Sequence, residues 1–206
     1  MGAWRFQDIN WTNTHVAAAP FFSFYDATGS VAPYLQITAT RANTPWIMDD
    51  GGAAQAMIIV PSTMSLPVTV TVSRGKVRNG HVSYPFLSDN QTAGHETTLN
   101  RQSMVFYQIG MVFAKYQSGA MAALISHNNT LADMLGPFTD PGFNYNDTVD
   151  QENDICGLDN TNYTCMRSIG TPVGYASQTV RNNILFEPVN DPSLERARPH
   201  GGEQRG

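Results

Sequence analysis

Only two cysteines, Cys156 and Cys165, and two lysines, Lys76 and Lys115, occur in the 206 residues. Charged residues make up 14% of the chain, against ~25% in an average globular protein. The twelve cations are scattered, and their tightest group, Arg74, Lys76 and Arg78, has three members. A nucleic-acid binder needs a concentrated basic stripe, so nucleic acid is not an expected partner. Long apolar runs are missing too. Gly51 to Ser73 is uncharged and long enough to cross a bilayer, but Pro61, Pro67 and six Ser or Thr interrupt it. Met104 to Ala114 is apolar and too short, so no membrane span is expected. The opening Met1-Gly2-Ala3-Trp4-Arg5-Phe6 has no apolar signal core, and Phe6 stands where a myristoylation motif takes Ser or Thr. Any export signal is expected to lie outside this numbering.

Motifs of catalysis are equally scarce. There is no Gly-x-Ser-x-Gly elbow, Walker loop or Gly-x-Gly-x-x-Gly turn. The five histidines (His15, His81, His95, His127 and His200) share no metal-ligand spacing. The five glutamates fall mostly in turns or tails, which gives no support to a glycosidase carboxylate pair. Nothing here points to an enzyme.

Neutral polar residues are abundant instead: 19 Thr, 16 Asn and 13 Ser, with a net charge of −5. Ten Phe, eight Tyr, three Trp and nine Met supply core material and exclude an intrinsically disordered chain. Five Asn-x-Thr sequons begin at Asn10, Asn90, Asn128, Asn146 and Asn162, where composition alone predicts about 1.5. Most lie among turn-forming residues, where glycan acceptors must be, so N-linked glycans and an extracellular or cell-surface location are expected. In such a compartment Cys156 and Cys165, set in a polar stretch without nearby His, are expected to form a disulfide. It would close a ten-residue loop and stabilise by about 2.5–3 kcal/mol on the chain-entropy model.

The acidic cluster near this pair offers one metal candidate. Asp150, Glu152 and Asp154 place oxygens at alternate positions, as a calcium loop would. An EF-hand is not matched, because Ile155 replaces the turn Gly and Thr161 the bidentate Glu. A solvated acidic loop is the competing reading, and no other cofactor is indicated.

Patterning reads as strands. Val68-Thr69-Val70-Thr71-Val72 alternates cleanly, and Tyr34 to Thr40 does the same. The Asn79-Gly80 turn suggests a hairpin with Val82 to Leu87, and Gln117-Ser118-Gly119 a second one between Met104–Tyr116 and Ala120–Ser126. Thr130 to Leu135 reads as a short helix, and Phe138 to Cys165 as one long irregular excursion pinned by the disulfide. No internal repeat is evident. Eight to ten strands at this spacing predict an all-β, antiparallel sandwich or jelly-roll domain. The expected division is an N-terminal strand over 1–15, a sandwich over 16–192 and a polar tail over 193–206.

These features suggest an extracellular structural glycoprotein whose copies self-assemble into a surface layer, filament or shell. Trp4 to Trp11, carried on a Val16 to Pro20 spacer, is its candidate assembly strand; pairing within its own sheet is the alternative. A second reading is a secreted carbohydrate-binding domain or sandwich-fold glycan-active enzyme, with Trp46, Tyr145 and Tyr163 as rings for stacking on sugars.

Overall fold

The computed structural model describes residues 3–13, 19–25, 31–41, 43–91, 95–116, 121–135, 147–158 and 177–186. Eighteen short strands lie among them, in three sheets. Sheet A contains β1 (Ala3–Gln7), β4 (Tyr34–Thr38), β7 (Val68–Ser73), β10 (Glu96–Gln102), β13 (Met121–His127), β15 (Thr148–Glu152) and β17 (Ser177–Arg181), in that spatial order. Sheet B runs through β2 (Trp11–Thr12), β5 (Trp46–Asp49), β8 (Gly75–Arg78), β11 (Val105–Tyr107), β14 (Thr130–Met134), β16 (Ile155–Leu158) and β18 (Ile184–Phe186). Sheet C holds β3 (Phe22–Ser23), β6 (Ile58–Val60), β9 (Pro85–Asp89) and β12 (Met111–Lys115).

In the first four coils the chain visits A, then B, then C, and returns to A one rung further along; from β13 on, the described strands alternate between A and B. Every strand pair is parallel. This is a parallel β-solenoid, and it overturns the expected antiparallel sandwich. The sequence pattern misleads for a physical reason. Parallel strands covered on both faces read as continuous apolar runs, as β12 of sheet C does. Strands of sheets A and B such as β4, β5, β7, β8 and β10 have one wetter face and so alternate like sandwich strands. In β7, Val68, Val70 and Val72 are buried while Thr69, Thr71 and Ser73 are half-exposed.

Several local expectations fall with it. Asn79-Gly80 reverses no hairpin: Asn79, at φ 55°, turns the chain from sheet B toward sheet C, while β7 pairs with β4 and β10. Met104 to Tyr116 is no hairpin arm either, since it divides into β11 in sheet B and β12 in sheet C. Gly110 permits the bend, because any Cβ there would collide with the carbonyls of His81 and Val82. The expected helix at Thr130 is strand β14. Sheet burial has overridden a weak helical preference.

The excursion from Phe138 to Cys165 contains all of β15 and β16, both parallel rungs. Cys156 is a strand residue whose backbone pairs with Leu131 and Leu185. Cys165 lies outside the described residues, and no disulfide occurs among those described. A repeat also exists: Glu96 pairs with Met121, Ala123 with Thr148 and Thr148 with Ser177, so coils of 25 to 29 residues recur. The varying length of the connections hides it.

The corners show why the coils stack. Between sheets A and B the residues Asp8, Arg74, Ser103, Asn128, Asn153 and Asn182 all take positive φ, between 54° and 58°. Asn and Asp tolerate this conformation better than other side-chain-bearing residues. The residue after each corner then links successive coils. The amide of Met104 donates to Asn129 Oδ1 at 2.9 Å, that of Asn129 to Asp154 Oδ1 at 2.8 Å, and that of Asp154 to Asn183 Oδ1 at 2.8 Å. These bonds satisfy amides that a bend would otherwise leave unpaired.

Candidate functional site

Three features of the solenoid stand out: its interior, its first coil and the outer face of sheet A. The interior of the early coils is apolar. Leu35, Ile37, Val70 and Val72 fill sheet A's inner side, with Trp46, Met48 and Val77 opposite them in sheet B. Trp46 lies over Gly75, where a Cβ would run into the indole, and its Nε1 donates to the Ser73 carbonyl at 2.8 Å. Trp46 is therefore a core residue, not a ring offered to sugars. Tyr145 and Tyr163 lie outside the described residues.

Later coils hide charge. Arg101 follows Ile37 and Val72 on one inner column, with Ser126 and Gln151 continuing it. Its Nε donates to Ser126 Oγ at 2.8 Å, its Nη2 lies 3.7 Å from Asp154, and its guanidinium covers the Phe106 ring at 5.2 Å. Burial pulls the Arg101 pKa down to about 10, against the opposing pull of Asp154. Ser126 Oγ also donates to Asp154. At another corner, buried Lys115 Nζ meets both oxygens of buried Asp147, at 2.9 and 2.6 Å. Asp89, beside Lys115 in sheet C, has its pKa raised to about 6 by burial, although the Gln91 amide, Thr97 and Lys115 pull it down. Asp50 is raised to about 6 by burial and, to a lesser degree, by neighbouring Asp49. These groups face inward and serve the fold.

The candidate calcium residues are divided between inside and outside. Asp150 and Glu152 point outward from β15, where Asp150 faces His127 Nε2 at 3.3 Å and Glu152 accepts from Arg181 at 2.9 Å. Asp154 is buried and accepts from the Asn129 amide and side chain. Among the described residues no three His, Cys, Asp or Glu side chains group as metal ligands. Of the sequon residues, Asn10 and Asn128 are exposed at corners and Asn90 is half-buried; Asn146 and Asn162 lie outside the described residues. Asn10 Oδ1 accepts from the Ile47 amide at 2.8 Å.

The first coil is lined with aromatic rings. Phe6, Trp11 and Phe22 contact one another with centroids 5.2 to 5.7 Å apart, and Trp11 meets Trp46 at 6.1 Å. Trp4, the start of the expected assembly strand, is 37% exposed. That strand pairs within its own chain, Ala3 opposite Tyr34 and Gln7 opposite Thr38.

Alternation places three rungs of neutral side chains on the outer face of sheet A. Tyr34, Gln36 and Thr38 lie beside Thr69, Thr71 and Ser73, which lie beside Thr98, Asn100 and Gln102. This nine-residue platform was only partly visible in the sequence. Val68–Val72 shows one rung, but its neighbours are 29 and 35 residues away along the chain.

Fold and surface together define a parallel β-solenoid, three-sided over its first four coils, whose first coil is paired on one side only among the described residues and whose sheet A carries a neutral polar face. Comparison with protein-family models, curated proteins and solved structures finds no match to the chain. No helix among the described residues is long and apolar enough to cross a membrane.

Proposed function

We propose that this chain is an extracellular structural glycoprotein whose copies join end to end through the first coil. The observation that carries this reading is the state of that coil. Among the described residues β1, β2 and β3 are each paired on one side only. Beside them lies an apolar cavity of about 340 Å³ lined by Trp4, Phe6, Phe21, Phe22, Phe24 and Leu35, among others. Unpaired strand edges beside apolar rings form a ready template for another chain. Among the described residues, sheets A and B end at the other side on β17 and β18, their outermost described rungs. A copy stacked head to tail would continue the parallel ladders, and a heterologous contact of that kind does not close, so it builds filaments. Glycans on the exposed corner residues Asn10 and Asn128 would keep the sides of such a filament in water.

Sedimentation and negative-stain microscopy of the glycosylated chain test the proposal. Concentration-dependent rods are expected, and Trp4→Arg should weaken their formation at least tenfold while leaving the fold intact. A wild-type chain that stays monomeric at high concentration overturns the assembly reading. Lack of mass loss on deglycosylation overturns the glycoprotein reading.

A further inference from the structure

The outer face of sheet A is a second surface, independent of the solenoid end. We infer that it binds a neutral, hydroxyl-rich polymer, a polysaccharide chain lying across rungs β4, β7 and β10.

Charge is the first argument. None of the nine side chains from Tyr34 to Gln102 is ionisable near neutral pH, and all nine carry hydrogen-bonding groups. The neutral field has defined borders: Arg5 of β1 stands beside Gln36, Glu96 at the start of β10 and Arg74 at the corner after β7. From the next rung of the same sheet the chemistry changes, with His127 beside Gln102 and against Asp150, and Glu152 against Arg181. An anionic polymer would find no cation on the nine to replace its lost hydration, and burying unpaired charge is costly. A neutral ligand with many hydroxyls meets donors and acceptors without that cost.

Geometry is the second. Rungs are about 4.8 Å apart and outward residues of one strand roughly 6.7 Å apart, so the nine form a regular grid. Every one of these strands is paired on both sides, which holds the grid flat and rigid. Four of the nine are Thr, whose branched side chains have few rotamers to lose on binding. Hydroxyls are already linked across rungs, with Thr38 Oγ1 and Ser73 Oγ 2.8 Å apart. Tyr34 adds a half-exposed ring at one corner of the grid. A polar cleft of about 290 Å³, lined by Ser73, Arg74, Gln102 and Ser103, lies at the end of β7 and β10. No carboxylate is among the nine, so the platform holds its ligand and leaves the glycosidic bond alone.

Co-sedimentation of the full chain with microcrystalline cellulose and with chitin tests this, with polygalacturonate gel as the anionic comparison and calorimetry on a neutral hexasaccharide. Retention on a neutral polymer is expected, with affinity falling at least tenfold in Thr71→Arg/Asn100→Ala. Asp150→Asn, on the charged rungs, should retain wild-type binding. Circular dichroism of each variant establishes that the fold is kept, and Thr98→Ala supplies a milder probe of the same face. Absence of retention on both neutral polymers, retention confined to the anionic gel, or equal binding by the double variant would each overturn the proposal. Assembly through the first coil is read separately by Trp4→Arg, which should leave this binding in place.

Discussion

The early and late coils of this solenoid share the same parallel ladders in sheets A and B and fill them differently. On the inner side of sheet A, Ile37 and Val72 are followed by Arg101, Ser126 and Gln151 in the same column. Sheet B changes in parallel, from Trp46 over Gly75 to the Met104, Asn129 and Asp154 corner chain. Apolar coils are held by packing, which fails by leaving a void. Polar coils are held by mutual satisfaction, which fails by stranding a partner. Two kinds of damage should therefore distinguish the two halves.

The largest expected effect lies in the apolar half. Trp46→Ala removes the biggest buried side chain and leaves a cavity against Gly75, at a cost of about 3–5 kcal/mol. Urea unfolding measures it, and a loss below about 1 kcal/mol would show that the coils collapse to fill the space. Asp147→Ala in the polar half should cost a similar ~3–5 kcal/mol, because buried Lys115 loses the carboxylate 2.6 Å from its Nζ and the Ala122 amide loses its acceptor. Here, unlike at Trp46, a second change helps: Lys115→Met with Asp147→Leu should recover most of the loss. If the double variant is no better than the single, the contrast between the halves fails.

Smaller effects follow at the corner. Asn129→Ala removes an acceptor from the Met104 amide and donors to Asp154 and Ser126, for about 1–3 kcal/mol. Asn129→Asp sets a second carboxylate oxygen where the amide nitrogen lies 3.0 Å from buried Asp154, so a midpoint below that of Asn129→Ala is expected.

Acidity sharpens the comparison further. With the Asp89 pKa raised to about 6 from 3.8, the folded state keeps a proton that the unfolded chain has released between those values. The resulting stability is complete below about pH 4 and is lost as pH rises through about 6. Asp50 acts in the same direction. Asp49 and Asp8, both lowered, act oppositely, and their contribution fades as pH falls below the ordinary carboxylate range. Asp89→Asn should therefore gain on wild type between pH 4.5 and 7, by an amount on the order of 1–3 kcal/mol in denaturant midpoints. An unchanged difference between the two pH values would remove Asp89 from the account. The smallest effect belongs to the exposed pair: Glu152→Gln should change stability by less than about 1 kcal/mol, as surface ion pairs do.

Much was legible in the residues before any tertiary arrangement. The all-β character followed from Val68–Val72 and Tyr34–Thr40, whose buried and exposed positions fall where alternation puts them. The corners were legible as turns, because Asn79 and Asn128 are residue types that accept positive φ. A sharper signal went unread. Asn128-Asn129-Thr130-Leu131, Asn153-Asp154-Ile155-Cys156 and Asn182-Asn183-Ile184-Leu185 recur after each late strand of sheet A, and they mark the coil.

By itself, then, the sequence determined that stretches such as Tyr34–Thr40 and Val68–Val72 extend and which of their side chains turn inward. Those properties depend on a residue and its near neighbours. It did not determine that Thr130–Met134, Thr148–Glu152 and Ile155–Leu158 are strands. Tertiary structure alone decided that the strands run parallel, that Arg101 shares a column with Val72, and that Thr69, Thr71 and Asn100 share one face. The physical reason is that a bend of fixed local shape can either reverse a strand onto its neighbour or carry it to the next side of a coil. The choice rests on hydrogen bonds and packing between residues 25 or more positions apart, and those exist only once a full coil has closed.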